Sequence, residues 1–281
     1  NIAGSVIKVT GKDEEMSLEE GILADFRVET DKYDREVLFY LVDELSEEAG
    51  ECIYKDAGKR IFQDRMRTIR YIGAVEKSLE GAYLRISRTE NKSNVEVRRE
   101  AVRGKITAKV VLNSLETEHF IIRAHGFILH ASFVLYNGKA ILFTAPSGTG
   151  KSTQAELWRV TKGAKIINGD RAVVKKCPEG FEAWGIPFAG SSGIAEQGHF
   201  PLSAIVYLAQ AERTSISRMP AKLAFRCVWE GISINTWDAE DVALASNTAL
   251  ELISQVPVYF LPCTPDESAV QTLEFMLRRE K

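Results

Sequence analysis

The spacing of hydrophobic and polar positions changes twice along the chain. In the front third, residues 36–42 (Glu-Val-Leu-Phe-Tyr-Leu-Val), 67–75, 82–88 (Ala-Tyr-Leu-Arg-Ile-Ser-Arg) and 94–99 are short β-favouring segments with turn residues between them. They predict a mainly antiparallel β domain. Over 105–120 the period lengthens: Ile106, Val110, Leu112, Leu115 and Phe120 are spaced like one face of a helix, which is predicted to join front and back. From about residue 121 the pattern is that of alternating strands and helices. Strands are predicted at 127–136 and 139–144 around Asn137-Gly138, a dipeptide that accepts positive φ at low cost. A glycine-rich loop follows, then a helix through about Lys162 ended by Gly163, and a strand at 165–168. Further strands are expected at 172–176, 181–186 and 204–209, and helices near 221–230, 240–254 and 266–279. The predicted fold class is α/β, organised as a β-rich domain with its connecting helix at 1–120 and an α/β domain at 121–281.

Composition narrows the function classes without choosing one. The 281 residues include 36 Lys and Arg against 39 Asp and Glu, with 45% hydrophobic and 27% charged residues. These values suit a folded protein and exclude a disulfide-stapled miniprotein, a disordered chain or a general nucleic-acid coat. Apolar runs such as 140–143 fall far short of the roughly 20 residues of a membrane span, and the first residues have no basic segment leading into an apolar stretch. The expectation is a cytoplasmic protein that engages neither membrane nor nucleic acid. Charge is uneven: residues 1–50 carry 5 basic and 14 acidic side chains, and residues 51–150 carry 17 and 10. The basic side chains are interleaved with acids, so Arg65, Arg67 and Arg70 are expected as strand residues facing water. Cys52, Cys177, Cys227 and Cys263 form no CxxC pair and read as reduced, mostly buried thiols.

The chemistry is concentrated in Ala145-Pro146-Ser147-Gly148-Thr149-Gly150-Lys151-Ser152-Thr153, between a predicted apolar strand and a predicted helix. That is the context of a phosphate-binding P-loop. Gly148 and Gly150 allow turns that a Cβ would forbid, so successive N–H groups can converge on phosphate oxygens. The helix start adds free N–H donors and a positive dipole end. Lys151 supplies a cation to the β/γ phosphates, and the Ser152 hydroxyl is placed to ligate Mg²⁺. Ser147, Thr149 and Thr153 complete the nucleotide-contacting set. Ala145 stands where the general pattern has its first glycine, which requires negative φ there.

A P-loop needs an acid at the end of a neighbouring strand, and Asp170 after Ile166-Ile167-Asn168-Gly169 supplies one. Asp170 is the candidate metal ligand, general base or both. Arg171 either neutralises the transferring phosphate or pairs with Asp170. His130 lies on a predicted strand fifteen residues before Ala145 and alternates with Ile128, Ser132 and Val134, which by itself favours a satisfied core histidine. The four-glycine stretch 185–198 reads equally as a surface turn or as a loop carrying the acceptor, with Gly190-Ser191-Ser192-Gly193 its key part. Trp184 and Phe188 read as core. Arg213 and Arg218 read as solvated-loop residues, with contact to the γ-phosphate as the alternative.

Leu129-His130-Ala131, Asn137-Gly138-Lys139, the P-loop and Ile166-Ile167-Asn168-Gly169-Asp170-Arg171 together resemble the catalytic domain of HPr kinase/phosphorylase over roughly residues 121–263. The resemblance is greater to the shorter HPr-kinase-like serine kinases of bacteria, some of them associated with biosynthetic peptides. It implies the P-loop core shared with phosphoenolpyruvate carboxykinase, a mixed sheet with flanking helices, and use of ATP and Mg²⁺. It also implies that Lys151 contacts phosphates, that Ser152 binds the metal, that Asp170 is the second member of an Asp-Asp pair, and that His130 is the active-site histidine rather than a core one. The first member of that pair is Gly169 here, which removes one carboxylate. The front 120 residues do not share the resemblance and are expected to select the substrate.

The implied activity is a kinase acting on a serine or threonine hydroxyl of a peptide or protein, and a homo-oligomer is compatible with it. A kinase acting on a small-metabolite hydroxyl uses the same residues. A non-catalytic nucleotide sensor or peptide-binding module is the reading from a different class, favoured by Gly169.

Overall fold

The computed structural model describes residues 1–47, 50–75, 77–103 and 105–279. The chain divides into two compact units, Asn1–Glu116 and Thr117–Lys281. The fold is mixed α/β.

In the first unit the strands are β1 (Ile7–Gly11), β2 (Ser17–Glu19), β3 (Arg35–Val42), β4 (Glu51–Lys55), β5 (Lys59–Gln63), β6 (Thr68–Ala74), β7 (Gly81–Arg88), β8 (Lys92–Arg98) and β9 (Lys105–Thr107). Among the described residues, seven of them form one sheet in the order β1-β3-β8-β7-β6-β5-β4, parallel across β1, β3 and β8 and antiparallel elsewhere. Alternation places Leu84, Ile86, Val95 and Val97 inside, as a strand with one buried face requires.

Three expectations fail. The single helix over 105–120 is interrupted: β9 is followed by α2 (Ala108–Ser114), and a new helix α3 (Thr117–Arg123) begins the second unit, with the short α1 (Arg99–Val102) lying before β9. Glu116 takes φ 50°, left-handed for a side-chain-bearing residue, and its buried carboxylate meets Arg70 at 3.2 Å and Arg88 at 3.1 Å. A buried carboxylate with two guanidinium partners outweighs the helical period there. For the same reason Arg70 does not face water. Arg65 lies in the exposed turn after β5, and Arg67 pairs with Asp64 at 2.8 Å. The cysteines are free thiols, but only Cys263 is buried, while Cys52 is exposed and Cys177 and Cys227 are half-buried.

The second unit contains β10 (Gly126–Tyr136), β11 (Lys139–Thr144), β12 (Lys165–Asn168), β13 (Arg171–Cys177), β14 (Gly180–Trp184), β15 (His199–Gln210), β16 (Ser217–Arg218), β17 (Ile232–Ser233) and β18 (Val258–Cys263). Its further helices are α4 (Lys151–Lys162), α5 (Ala221–Glu230), α6 (Ala239–Gln255) and α7 (Glu267–Arg279). β10 is the organising strand. Its first half pairs with β13 and β17, and its second half with β11 and β12. With β14 and β15 the pairing path returns to β11, which runs parallel to β15. Alternation along β11 sends Ala140 and Leu142 to a core with Val228 and Leu252, and Ile141 and Phe143 to a core with Trp158 and Leu273. Helices therefore cover both faces. No helix among the described residues is long and apolar enough to cross a membrane.

Candidate phosphate-loop site

The loop sits between β11 and α4, and each part has a local cause. Asn137 and Gly138 both take positive φ, the two-residue turn that reverses β10 into β11. α4 is fixed at its far end by Gly163, left-handed at φ 64°, with the Gly163 N–H donating to Arg159 O and the Ala164 N–H to Trp158 O. Trp158 is fully buried and packs edge-on to Tyr136 at 5.0 Å between ring centroids. Such a contact adds about 0.5–1.5 kcal/mol to the burial itself. The helix is thus anchored by its apolar stripe, and its N-terminus is held against the loop.

At that N-terminus Gly150 is the N-cap, with φ 113° and no side-chain cap, and the first helical bond is Gln154 N–H to Gly150 O at 2.9 Å. The N–H groups before it have no intrahelical acceptor. Gly148 takes φ 78°, and Ala145 is not among the positive-φ residues, so the substitution for glycine is tolerated. Ser147 and Gly148 are exposed, as are Ser152 and Thr153, while Thr149 is half-buried. Lys151 is only 8% exposed. Its Nζ donates to Ala145 O at 2.9 Å and Pro146 O at 3.3 Å, and among the described residues no carboxylate lies within the 4 Å of an ion pair. Burial pushes the Lys151 pKa down, and the attraction of Asp170 offsets part of that.

Asp170 is placed by Asn168, whose role the sequence analysis missed. The fully buried Asn168 donates from Nδ2 to Ile186 O at 2.8 Å and accepts at Oδ1 from the N–H groups of Asp170 and Arg171, both at 2.9 Å. The habit of Asn of hydrogen-bonding the backbone two residues on is the signal that was available. Asp170 Oδ2 meets Arg171 Nε at 3.2 Å, and Oδ1 lies 3.9 Å from His130 Nε2. Arg171 also stands 5.5 Å over the Phe188 ring.

His130 is not a core histidine: its side chain is 41% exposed, whereas Ile128, Ser132 and Val134 are buried. It lies where β10 changes partners. The His130 N–H donates to Gly231 O at 2.8 Å and the next N–H, of Ala131, to Asp170 O at 2.9 Å. Burial, then Lys151 and Arg171, lower the His130 pKa, and Asp170 opposes them.

The segment Gly190–Ser192 packs on Asp170 and Gly169. A Cβ on Gly169 would stand 2.1 Å from Ser192 Oγ, and a Cβ on Gly190 would stand 2.6 Å from Asp170 Cγ. The space that a second carboxylate would use is filled by Ser192. Trp184 is only half-buried and stacks on His199 at 4.1 Å, and Phe188 is half-buried as well. Arg213 and Arg218 are exposed.

Among the described residues, one group of three has metal-ligand geometry: His119, Asp238 and Asp241 offer ligand atoms within 4.8 Å of one another. Arg123 is inserted among them, 3.0 Å from Asp241 and 3.7 Å from Asp238, so the carboxylates already hold a cation.

A strand, a glycine loop, a helix N-terminus with a buried lysine, and an acid after a nearby strand make up the candidate site of this mixed α/β protein. The model of the family described as SynChlorMet cassette protein ScmC matches residues 105–277, and the chain belongs to that family. No curated protein matches it. Among solved structures, the Hpr(Ser) kinase/phosphatase from Coxiella burnetii aligns at 14% identity and a TM-score of 0.31, covering 54% of this chain and 89% of that one. That likeness is too distant to transfer residue roles.

Proposed function

We propose that the loop site binds ATP with Mg²⁺ and transfers the γ-phosphate to a serine or threonine hydroxyl of a peptide or protein. The observation that carries this reading is Lys151: a nearly buried ammonium, resting on loop carbonyls, with no carboxylate in ion-pair range, beside uncapped helical N–H groups. Such a cavity wall fits a polyphosphate, whose charge would supply the missing counter-ion. Ser152, exposed on the first turn, and Asp170 would hold the metal. When bound, Mg²⁺ would supply charge neutralisation of the polyphosphate.

The chain's own residues do the remaining work. Lys151 and the N–H groups of Gly148–Thr153 fix the phosphates; Arg171, held by Asp170 and Phe188, places a second cation beside them. Asp170 takes the hydroxyl proton, with His130 Nε2 standing 3.9 Å from its carboxylate. The first unit selects the acceptor in this reading.

The test is transfer of label from γ-labelled ATP into protein or peptide. Lys151→Ala and Asp170→Asn should each reduce it at least about a thousandfold, on the scale of losing a principal electrostatic contact. Undiminished transfer in either variant removes the assigned role. The packing of Ser192 against Gly169 favours one second reading, a nucleotide sensor. It predicts saturable ATP binding by calorimetry and no phosphorylated product.

A further inference from the structure

Two cavities flank the loop. One, of about 590 Å³, is bordered by Gly148, Thr149, Gly150 and Gln154 together with Leu208 and Cys263. The other, of about 350 Å³, is bordered by Ala145, Pro146 and Ser147 and walled by His130, by Tyr207 of β15 and by Cys227 and Glu230 of α5. Lys151 tells the two apart. In a P-loop the lysine reaches the β/γ phosphates while the glycine-rich backbone cradles the α/β phosphates. Here Nζ lies on the carbonyls of Ala145 and Pro146, the residues that border the smaller cavity. On that rule the γ end of a bound triphosphate would face the smaller cavity, and the nucleoside the larger.

We propose that the smaller cavity is the acceptor pocket, receiving a hydroxyl-bearing side chain of a peptide, with Tyr207 and Cys227 as its specificity-determining wall. This rests on the kinase reading above and deepens it. A volume of about 350 Å³ lies at the small end of ligand pockets and suits one side chain with its flanking backbone. Tyr207 and Glu230 border the same cavity, and the Glu230 carboxylate is held by Arg226 at 3.0 Å. The Tyr207 phenol can donate to or accept from a substrate polar group. Burial first, then Glu230, keep the Cys227 thiol protonated, so Cys227 is a small wall residue and not a nucleophile. His130 lines this cavity and its Nε2 stands 3.9 Å from Asp170, so an entering hydroxyl would reach the proposed base past His130. In the transfer the acceptor oxygen forms a bond to the γ-phosphorus, the bond to the β,γ-bridging oxygen breaks, the hydroxyl proton passes to Asp170, and ADP leaves.

The experiment uses the full chain, γ-labelled ATP with Mg²⁺, and a degenerate library of serine-containing peptides, with cell extract as a second acceptor source. Cys227→Phe fills the cavity and should lower transfer at least about tenfold while ATP affinity by calorimetry stays within about twofold. Tyr207→Phe removes only the hydroxyl and should raise the peptide KM roughly fivefold, the cost of one hydrogen bond, with kcat held. A folded Cys227→Phe protein that transfers at the wild-type rate overturns the pocket and leaves the kinase reading standing. If Cys227→Phe does not fold, an unchanged peptide KM in Tyr207→Phe has the same force. A wild-type chain that binds no ATP, or labels neither library nor extract, overturns the kinase reading and the pocket with it.

Discussion

Two clusters of charge in the second unit make opposite use of burial. Between α3 and α6, Asp241 is fully buried and takes His119 at 2.9 Å and Arg123 at 3.0 Å, while Arg123 also reaches Glu240 at 2.5 Å. Asp238 caps α6 by accepting from the N–H groups of Glu240 and Asp241. Burial pushes the Asp241 carboxyl up, but the hydrogen bonds and charges of His119 and Arg123 more than offset it and hold it below its ordinary value. At the loop the network is more open: Lys151 donates to two loop carbonyls, and Asp170, held by Arg171 at 3.2 Å, stands 3.9 Å from His130, beyond hydrogen-bond reach. A closed network spends its electrostatics on holding two helices together. An open one keeps interaction energy in reserve for a charged ligand.

The contrast is broken most directly by exchanging the consequences of mutation. Asp241→Ala leaves Arg123 and His119 without their buried partner and should cost about 3–5 kcal/mol, read as a lower denaturant midpoint. Lys151→Ala removes an ammonium that burial disfavours and should change stability by less than about 1 kcal/mol while abolishing label transfer. If Asp241→Ala keeps its stability and loses ATP binding instead, the assignment of the two clusters is reversed.

A smaller effect sharpens the comparison at the one place where the loop site is closely packed. Gly169→Ala would put a Cβ within 2.1 Å of Ser192 Oγ and 2.6 Å of Ser192 Cβ. Overpacking of this kind should cost about 1–3 kcal/mol. Ser192→Gly removes both atoms, so the double variant should recover most of the loss, a non-additivity that a double-mutant cycle in denaturant measures directly. Additive losses would mean that Ser192 is not what keeps position 169 a glycine.

The loop was legible because its determinants are contiguous: two glycines at positive φ, a strand before and an amphipathic helix after, all within about twenty residues. Asp170 followed from its position at a strand end. His130 by itself read as core, since alternation cannot reveal that β10 changes partners at that residue; the expectation that it lies outside the core came from resemblance. The break at Glu116 was hidden because its cause, the pairing with Arg70 and Arg88, lies far away in sequence. β18 escaped because Pro257 and Pro262 resemble loop punctuation, although Pro262 pairs across from Ala209 in a buried strand. Tyr207, Cys227 and Glu230 carry no motif, and only the pairing of β15 and the placement of α5 bring them to one cavity.

The smallest effect concerns a third cluster, closed like the first but poised to open with acid. Glu274 on α7 accepts from Tyr136 at 2.6 Å, Lys162 at 2.7 Å and Arg278 at 2.7 Å, tying α7 to the C-terminal end of α4 and to β10. Lys162 first, then Tyr136, lower its pKa from the ordinary 4.5 to about 2. A carboxyl depressed on folding contributes stability that is fully present above its unfolded pKa and is lost as pH falls through the folded one. The window is therefore from about pH 4.5 down to about pH 2. Discounted for solvent screening of the exposed Arg278, the contribution should be roughly 1–2 kcal/mol. Glu274→Gln should be less stable than wild type by that amount at pH 6, and the two denaturant midpoints should converge as pH approaches 2.5. A gap that stays constant across the window would show that Glu274 acts by packing alone, and that closure of a charge network in this chain does not require ionisation.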